Sequence, residues 1–191
     1  VFLAHDNDKT AKQYAETFVA QNKEKLLDAL DHAFSFSGKV LVEKAITNLK
    51  EINCSVCGDY DSAEASECEE PVGSNEILSY EDKYVDNSSS KTSGMASLKR
   101  KIPAEISDEQ KNTIKKMALD TFHCLGCSGV SRIDFMIDLD ENKIYVNEIN
   151  TIPGSLAFYL WEPVGVKYSV LLDKMVSLAL KRDRENKNLS F

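Results

Sequence analysis

The chain has 191 residues, 42% of them hydrophobic and 28% charged, with a net charge of −8. These are globular values, enough for one sizeable domain or a domain and a half, and the acidic balance argues against a general nucleic-acid surface. No apolar run approaches a membrane span and no charged start followed by an apolar core marks a signal peptide, so a cytoplasmic protein with neither membrane nor nucleic-acid partners is expected.

In chain order, Val1–Ala4 is expected as a short strand and Glu16–Ala20 as a second candidate, with the polar, glycine-free HDNDKTAKQYA between them. Asn22 is placed to cap a helix with apolar positions Leu26, Leu27, Leu30, Ala33 and Phe34, ending at Ser37-Gly38. Lys39–Ile46 and Glu51–Cys57 are expected as strands around a polar turn, and the acidic Asp59–Glu70 as a loop. Glu76–Val85 suggests a further strand pair, and the serine-rich Asp86–Ser97 a mobile segment. Ile102-Pro103 opens the next unit. Ser107 and Gln110 have capping-box spacing before a helix with Ile114, Met117, Ala118, Thr121, Phe122 and Leu125 along one face, stopped at Gly126. SLAFYLWEPVGVKYS, after Gly154, is expected as a loop. Ser169 then caps a last helix with Leu171, Leu172, Met175, Val176 and Ala179 inward, and the charged tail from Asp183 is expected to fray.

Five cysteines stand at 54, 57, 68, 124 and 127, an odd number that implies no disulfide framework. Two C-x-x-C pairs invite a zinc site, but Cys54 and Cys57 lie i,i+3 in a strand-like run and so face opposite sides. Cys124 and Cys127 flank a helix end at core-like positions, and buried free thiols are expected for both pairs. His32 and His123 lie on helices and are expected to be structural.

The most informative stretch is Ser131–Gly154, SRIDFMIDLDENKIYVNEINTIPG: two strand-like runs, a polar turn and a Pro-Gly break. Arg132 and Asp134 are spaced i,i+2, as are Glu148 and Asn150, so each pair shares a strand face. Setting Asp134 opposite Glu148 also sets Arg132 opposite Asn150, with Leu139–Lys143 as the loop. One face is then Arg132, Asp134, Met136, Val146, Glu148 and Asn150; the other is Ile133, Phe135, Ile137, Tyr145, Asn147 and Ile149. A slip of one residue would part the two acids. Oxygens of Asp134, Glu148 and Asn150 converging beside a guanidinium suit magnesium that also binds phosphate, although an ordinary exposed face with an ion pair has the same spacing.

The R-x-D-F strand, the N-E-I-N-T strand and the following I-P-G together resemble the C-terminal signature of D-alanine–D-alanine ligases, of the ATP-grasp superfamily. The likeness runs from about Lys39 to about Arg182. It implies an α+β fold with an ATP-grasp-like antiparallel sheet packed with helices, ATP and two magnesium ions (or manganese) as cofactors, and D-alanine as substrate. In the family the γ-phosphate passes to the carboxylate of one D-alanine, and the amine of a second attacks the acyl phosphate, for peptidoglycan precursor synthesis. By position, Glu43, Lys44 and Ile46 resemble the strand exit that meets adenine, Glu51 the acid on ribose, and Lys83 a phosphate-binding lysine. Asp134, Glu148 and Asn150 resemble the magnesium ligands, Arg132 the residue that stabilises the oxyanion, and Gly154 a backbone donor to that oxygen.

The start departs from the pattern. Ala4 and His5 stand where the family has a lysine, and HDNDKTAKQYA replaces a glycine-rich phosphate loop. Ala157, Phe158 and Tyr159 stand where family members often have a serine, which leaves the second amino acid open among D-alanine, D-serine and D-lactate. The expected division is residues 1–38 as a degenerate or truncated start, 39–182 as the ATP-grasp C-terminal domain, and 183–191 as a charged tail. A homodimer is allowed. The alternatives are a non-catalytic ATP-grasp-like domain and a zinc module.

Overall fold

A computed structural model describes residues 22–72 and 100–188, in two compact units: Val1–Thr47 with Ser74–Met95, and Asn48–Gly73 with Ala96–Phe191. The expected strands at Val1–Ala4, Glu16–Ala20 and Glu76–Val85, and the serine-rich Asp86–Ser97, lie outside the described residues.

In the first unit, helix α1 spans Lys23–Phe34. The Asn22 side chain accepts the Lys25 N–H at 2.9 Å, the expected cap. Ala29 and Ala33 are buried and Leu26 and Leu30 half-buried, an i, i+3, i+4, i+7 face; Leu27 and Phe34 fall beside it and are exposed. The expected strand at Lys39–Ile46 is corrected. It has a single bridging residue, Leu41, and Leu41 and Val42 stay about half exposed, so their alternation marks no buried face among the described residues.

The second unit is built on an antiparallel sheet of order β3-β2-β1-β4-β5, with β1 Leu49–Gly58, β2 Ala63–Pro71, β3 Arg100–Lys101, β4 Gly129–Asp138 and β5 Lys143–Asn150. Helix α2, Asp108–Cys124, covers one face. Its capping box forms as the sequence requires, Gln110 N–H to Ser107 Oγ and Ser107 N–H to Gln110 Oε1, both at 3.1 Å. Ile114, Ala118 and Phe122 meet Ile52, Cys54 and Val56 of β1, Cys68 of β2 and Ile133, Phe135 and Ile137 of β4. Leu125 is exposed, because the helix has already ended at Cys124 and Gly126 follows with φ +61°.

The acidic stretch expected as a loop is strand β2. Each acid meets a cation: Glu64 pairs with Lys174, Glu67 with Lys111 and Lys115, Glu69 with Arg100, and Glu70 with Lys50. Its small residues Ala63 and Ala65, with Cys68, pack toward α2.

One end of the opposite face is covered by the segment after Gly154, where the expected loop is wound into short turns at Gly154–Leu160 and Glu162–Val164. Helix α3, Tyr168–Lys187, follows. Cys57, Val130, Trp161 and Leu171 form a second buried cluster there, edged by Met175 and Leu178. The expected inward residues Leu172 and Val176 are exposed, since the face is set by Leu171, Met175 and Leu178. Ser169 does not cap α3: the cap position is Lys167, with no side-chain hydrogen bond, and the helix continues past Asp183.

Candidate site on the open end of the sheet

Strand β4 puts Arg132, Asp134 and Met136 on the face away from α2, and β1 adds Glu51, Asn53 and Ser55 through the pairs Glu51↔Met136, Asn53↔Asp134 and Ser55↔Arg132. The hairpin pairs as expected at Arg132↔Asn150 and Asp134↔Glu148. Beyond them the expected register is corrected. A bulge at Asn147 sets Val146 opposite Phe135, Tyr145 opposite Met136 and Ile144 opposite Ile137. The extra residue turns Ile144 rather than Tyr145 toward the core beside α2. The chain then reverses over Leu139–Asn142, with Asn142 at φ +51°.

The Arg132 guanidinium grips Asp134 in a fork: Nε donates to Oδ1 at 2.7 Å and Nη2 to Oδ2 at 2.8 Å. Asn150 Nδ2 donates to the same Oδ2 at 3.2 Å, which leaves its amide oxygen available. Asp134 is buried; Glu148, opposite it, is exposed and has no hydrogen-bond or ion-pair partner among the described residues. Burial is the largest single influence on Arg132 and acts against its charge. The Asp134 hydrogen bonds and the nearby Asp134, Tyr159 and Glu69 outweigh it, so the guanidinium binds its proton more tightly than usual.

Sequence reasoning missed a second group beside this fork. Glu69, almost fully buried, accepts from Asn53 Nδ2 at 2.9 Å and from the Tyr159 hydroxyl at 3.1 Å. Arg100 stands 3.7 Å from its other oxygen and 4.2 Å over the Tyr159 ring. Burial, followed by the Glu69 carboxylate, raises the Tyr159 phenol above its ordinary value. Asn53 was detectable, since it lies i,i+2 from Glu51 on a strand. Glu69 carries no such signal within its acidic run.

Gly154 opens the turn behind the hairpin and is exposed. Ser155, Leu156 and Ala157 follow at φ +46°, +58° and +51°, a left-handed turn of ordinary residues. The far end of the turn is pinned: Ala157, Leu160 and Trp161 are buried, and Trp161 Nε1 donates to Ser55 Oγ at 3.2 Å.

The sheet unit therefore brings together Arg132, Asp134, Glu148, Asn150 and Glu51 on one face. Glu43 and Lys44 are exposed and Ile46 half-buried in the first unit, and Lys83 lies outside the described residues. Two carboxylates and an amide carbonyl are hard oxygen donors that fit magnesium. Oδ1 of Asp134 accepts only from Arg132 Nε and keeps a second lone pair, whereas Oδ2 already accepts from Arg132 and Asn150. Among the described residues no group of three or more His, Cys, Asp or Glu is placed to hold a metal by itself. The donor set thus suits an ion that completes its shell with water and phosphate rather than a closed protein cage. Cys54 and Cys57 lie on opposite faces of β1. Cys124 is exposed rather than buried, because it ends α2 on the solvent side.

Residues 17–177 match the family described as D-ala D-ala ligase C-terminus. The chain belongs to that family. Among relatives in this ligase family, the D-alanine–D-alanine ligase of Thermosipho africanus is 42% identical over 167 residues, 87% of this chain and 43% of the relative. That of Thermosipho melanesiensis is 44% identical over 163 residues, 85% of this chain and 42% of the relative. The solved D-alanine-D-alanine ligase of Coxiella burnetii superposes with a TM-score of 0.68 at 26% identity, over 89% of this chain and 42% of that one. The D-Ala:D-Ser ligase of Enterococcus faecalis gives 0.63 at 30% identity, over 82% and 43%. The chain thus spans less than half the length of these ligases, and its α+β sheet-and-helix architecture is theirs.

Proposed function

We propose that the chain is the ATP- and magnesium-binding part of an enzyme that joins D-alanine to D-alanine through an acyl phosphate, for peptidoglycan precursor synthesis. The observation that carries this is the fork of Arg132 on Asp134, joined by Asn150 and faced by Glu148, on an open sheet end that leads into Gly154.

In this reading Asp134, Glu148 and Asn150 hold magnesium, two ions in the family pattern. Magnesium held there would supply positive charge against the phosphate oxygens. Asp134 also holds the guanidinium plane fixed, so that the N–H groups of Arg132 not used in the fork can stabilise an oxyanion without first reorganising. The tight hold of Arg132 on its proton keeps it cationic throughout the working pH range. Gly154 supplies a backbone N–H with no side chain to obstruct approach. Glu51 takes the ribose, Glu43, Lys44 and Ile46 the adenine edge, and Lys83 the phosphates, on the strength of the family pattern. The Glu69–Tyr159 link ties the turn that begins at Gly154 back to the sheet. Residues 39–182 form the ATP-grasp portion, after a degenerate or truncated start at 1–38 and before a charged tail at 183–191.

The setting is cytoplasmic, where ATP is available, and no helix among the described residues is long and apolar enough to cross a membrane.

Isothermal titration of the full chain with Mg-ATP is expected to give saturable heat, lost in Asp134→Ala and reduced in Glu148→Ala. No heat with Mg-ATP, or the same heat in Asp134→Ala, overturns the proposal. Stabilisation by magnesium but not by nucleotide would favour a non-catalytic domain.

A further inference from the structure

The remaining chemistry in the sheet unit is a pair of thiols unrelated to the metal face. Cys54 of β1 and Cys68 of β2 are directly opposed in the antiparallel register, and both are fully buried. Opposed residues in such a pair have Cα atoms about 4.5–5.5 Å apart, within the roughly 4.4–6.8 Å that a disulfide spans. Their side chains point the same way, toward α2, into one buried cluster. The next pair along, Asn53 opposite Glu69, is hydrogen-bonded at 2.9 Å and holds the strands in this register. Cys57 takes no part, since it lies on the other face beside Trp161.

We propose that Cys54 and Cys68 are an oxidative modification site, converted by a peroxide to a disulfide across β1 and β2. Cys68 is the sulfur that reacts first. The neighbouring Cys54 thiol leads in holding its thiol below the ordinary value, and the ammonium groups of Lys115 and Lys111 on α2 add to this; the Cys68 thiol and burial push Cys54 well up. The Cys68 thiolate attacks one peroxide oxygen, the O–O bond breaks, and hydroxide leaves with the proton that Cys68 released, as water. The Cys54 sulfur then attacks the sulfenic sulfur; the S–O bond breaks and the hydroxyl leaves with the Cys54 proton as a second water. Two thiols lose two electrons, and one peroxide becomes two waters.

The sequence makes the test clean. Trypsin releases residues 51–83 with Cys54, Cys57 and Cys68, and residues 117–132 with Cys124 and Cys127. The full chain is treated with hydrogen peroxide until exposed Cys124 has reacted, then denatured, alkylated with iodoacetamide, digested and weighed. The expected 51–83 peptide is lighter by two hydrogens, carries one alkyl group, on Cys57, and returns to three alkyl groups after dithiothreitol. Cys57→Ala is expected to form the same bond and Cys68→Ser to form none, with Trp161 emission unchanged on oxidation because the thiols are already opposed. Three alkylated thiols in 51–83 after Cys124 has reacted, or a bond that includes Cys57, overturns the proposal.

Discussion

Removing the Asp134 carboxylate tests the candidate site through stability, with no ligand required. Asp134→Ala deletes both arms of the fork and the acceptor of Asn150 Nδ2, and strands a guanidinium whose side chain keeps only 21% of its surface exposed. Breaking a buried ion pair from one side costs about 3–5 kcal/mol; the residual exposure of Arg132 puts the expectation at about 3 kcal/mol. With a urea slope of about 2 kcal/mol per molar, the unfolding midpoint falls by about 1.5 M. Trp161, the only tryptophan, is buried in this unit and reports its unfolding by fluorescence. Arg132→Met in the Asp134→Ala background removes the stranded charge and is expected to recover about 2 kcal/mol. A midpoint that falls by less than about 0.5 M in Asp134→Ala, or no recovery in the double variant, would show that the fork does not carry the electrostatics assigned to it.

Two further outcomes are expected. At Gly58 an added Cβ would stand 2.2 Å from the Ser62 carbonyl oxygen and 2.4 Å from Ala63 Cα, both backbone atoms of the β1–β2 turn. Gly58→Ala is therefore expected to cost about 2–3 kcal/mol, a melting temperature lower by roughly 8 °C in a thermal scan; an unchanged scan would mean the turn opens freely. The Asp59 carboxyl is held below its ordinary value, first by the Lys181 ammonium at 2.7 Å and then by the Ser62 and Asp61 N–H groups. A depressed folded pKa adds stability above the unfolded value and loses it as pH falls through the folded one. The gap in urea midpoint between the parent and Asp59→Asn should therefore be full at about pH 6 and shrink below about pH 4. A gap that does not change down to about pH 2.5 would refute the assignment.

The face that carries the fork was legible because its polar residues repeat at i,i+2 on two strands joined by a short turn, so only one register unites Arg132, Asp134, Glu148 and Asn150. The bulge was not legible. One extra residue at Asn147 leaves those two pairs intact and swaps Tyr145 and Ile144, which an alternating pattern cannot distinguish. Strand β2 was hidden for another reason. Its acids look like a solvated loop until Lys50, Arg100, Lys111, Lys115 and Lys174, distant in the chain, stand beside them. Caps and stops on α2 were local and therefore readable, whereas the inward faces of α1 and α3 depended on which neighbours they met.

Ser155, Leu156 and Ala157 wind against the hand that L-residues prefer, a conformation that costs roughly 1–2 kcal/mol per residue. Such a coil persists only where its surroundings leave it no alternative, and here the buried Ala157, Leu160 and Trp161 do so. The contour beside Gly154 is therefore set when the chain folds. A molecule arriving there meets a wall already standing, and glycines placed along this stretch would ease the coil while surrendering its fixed outline.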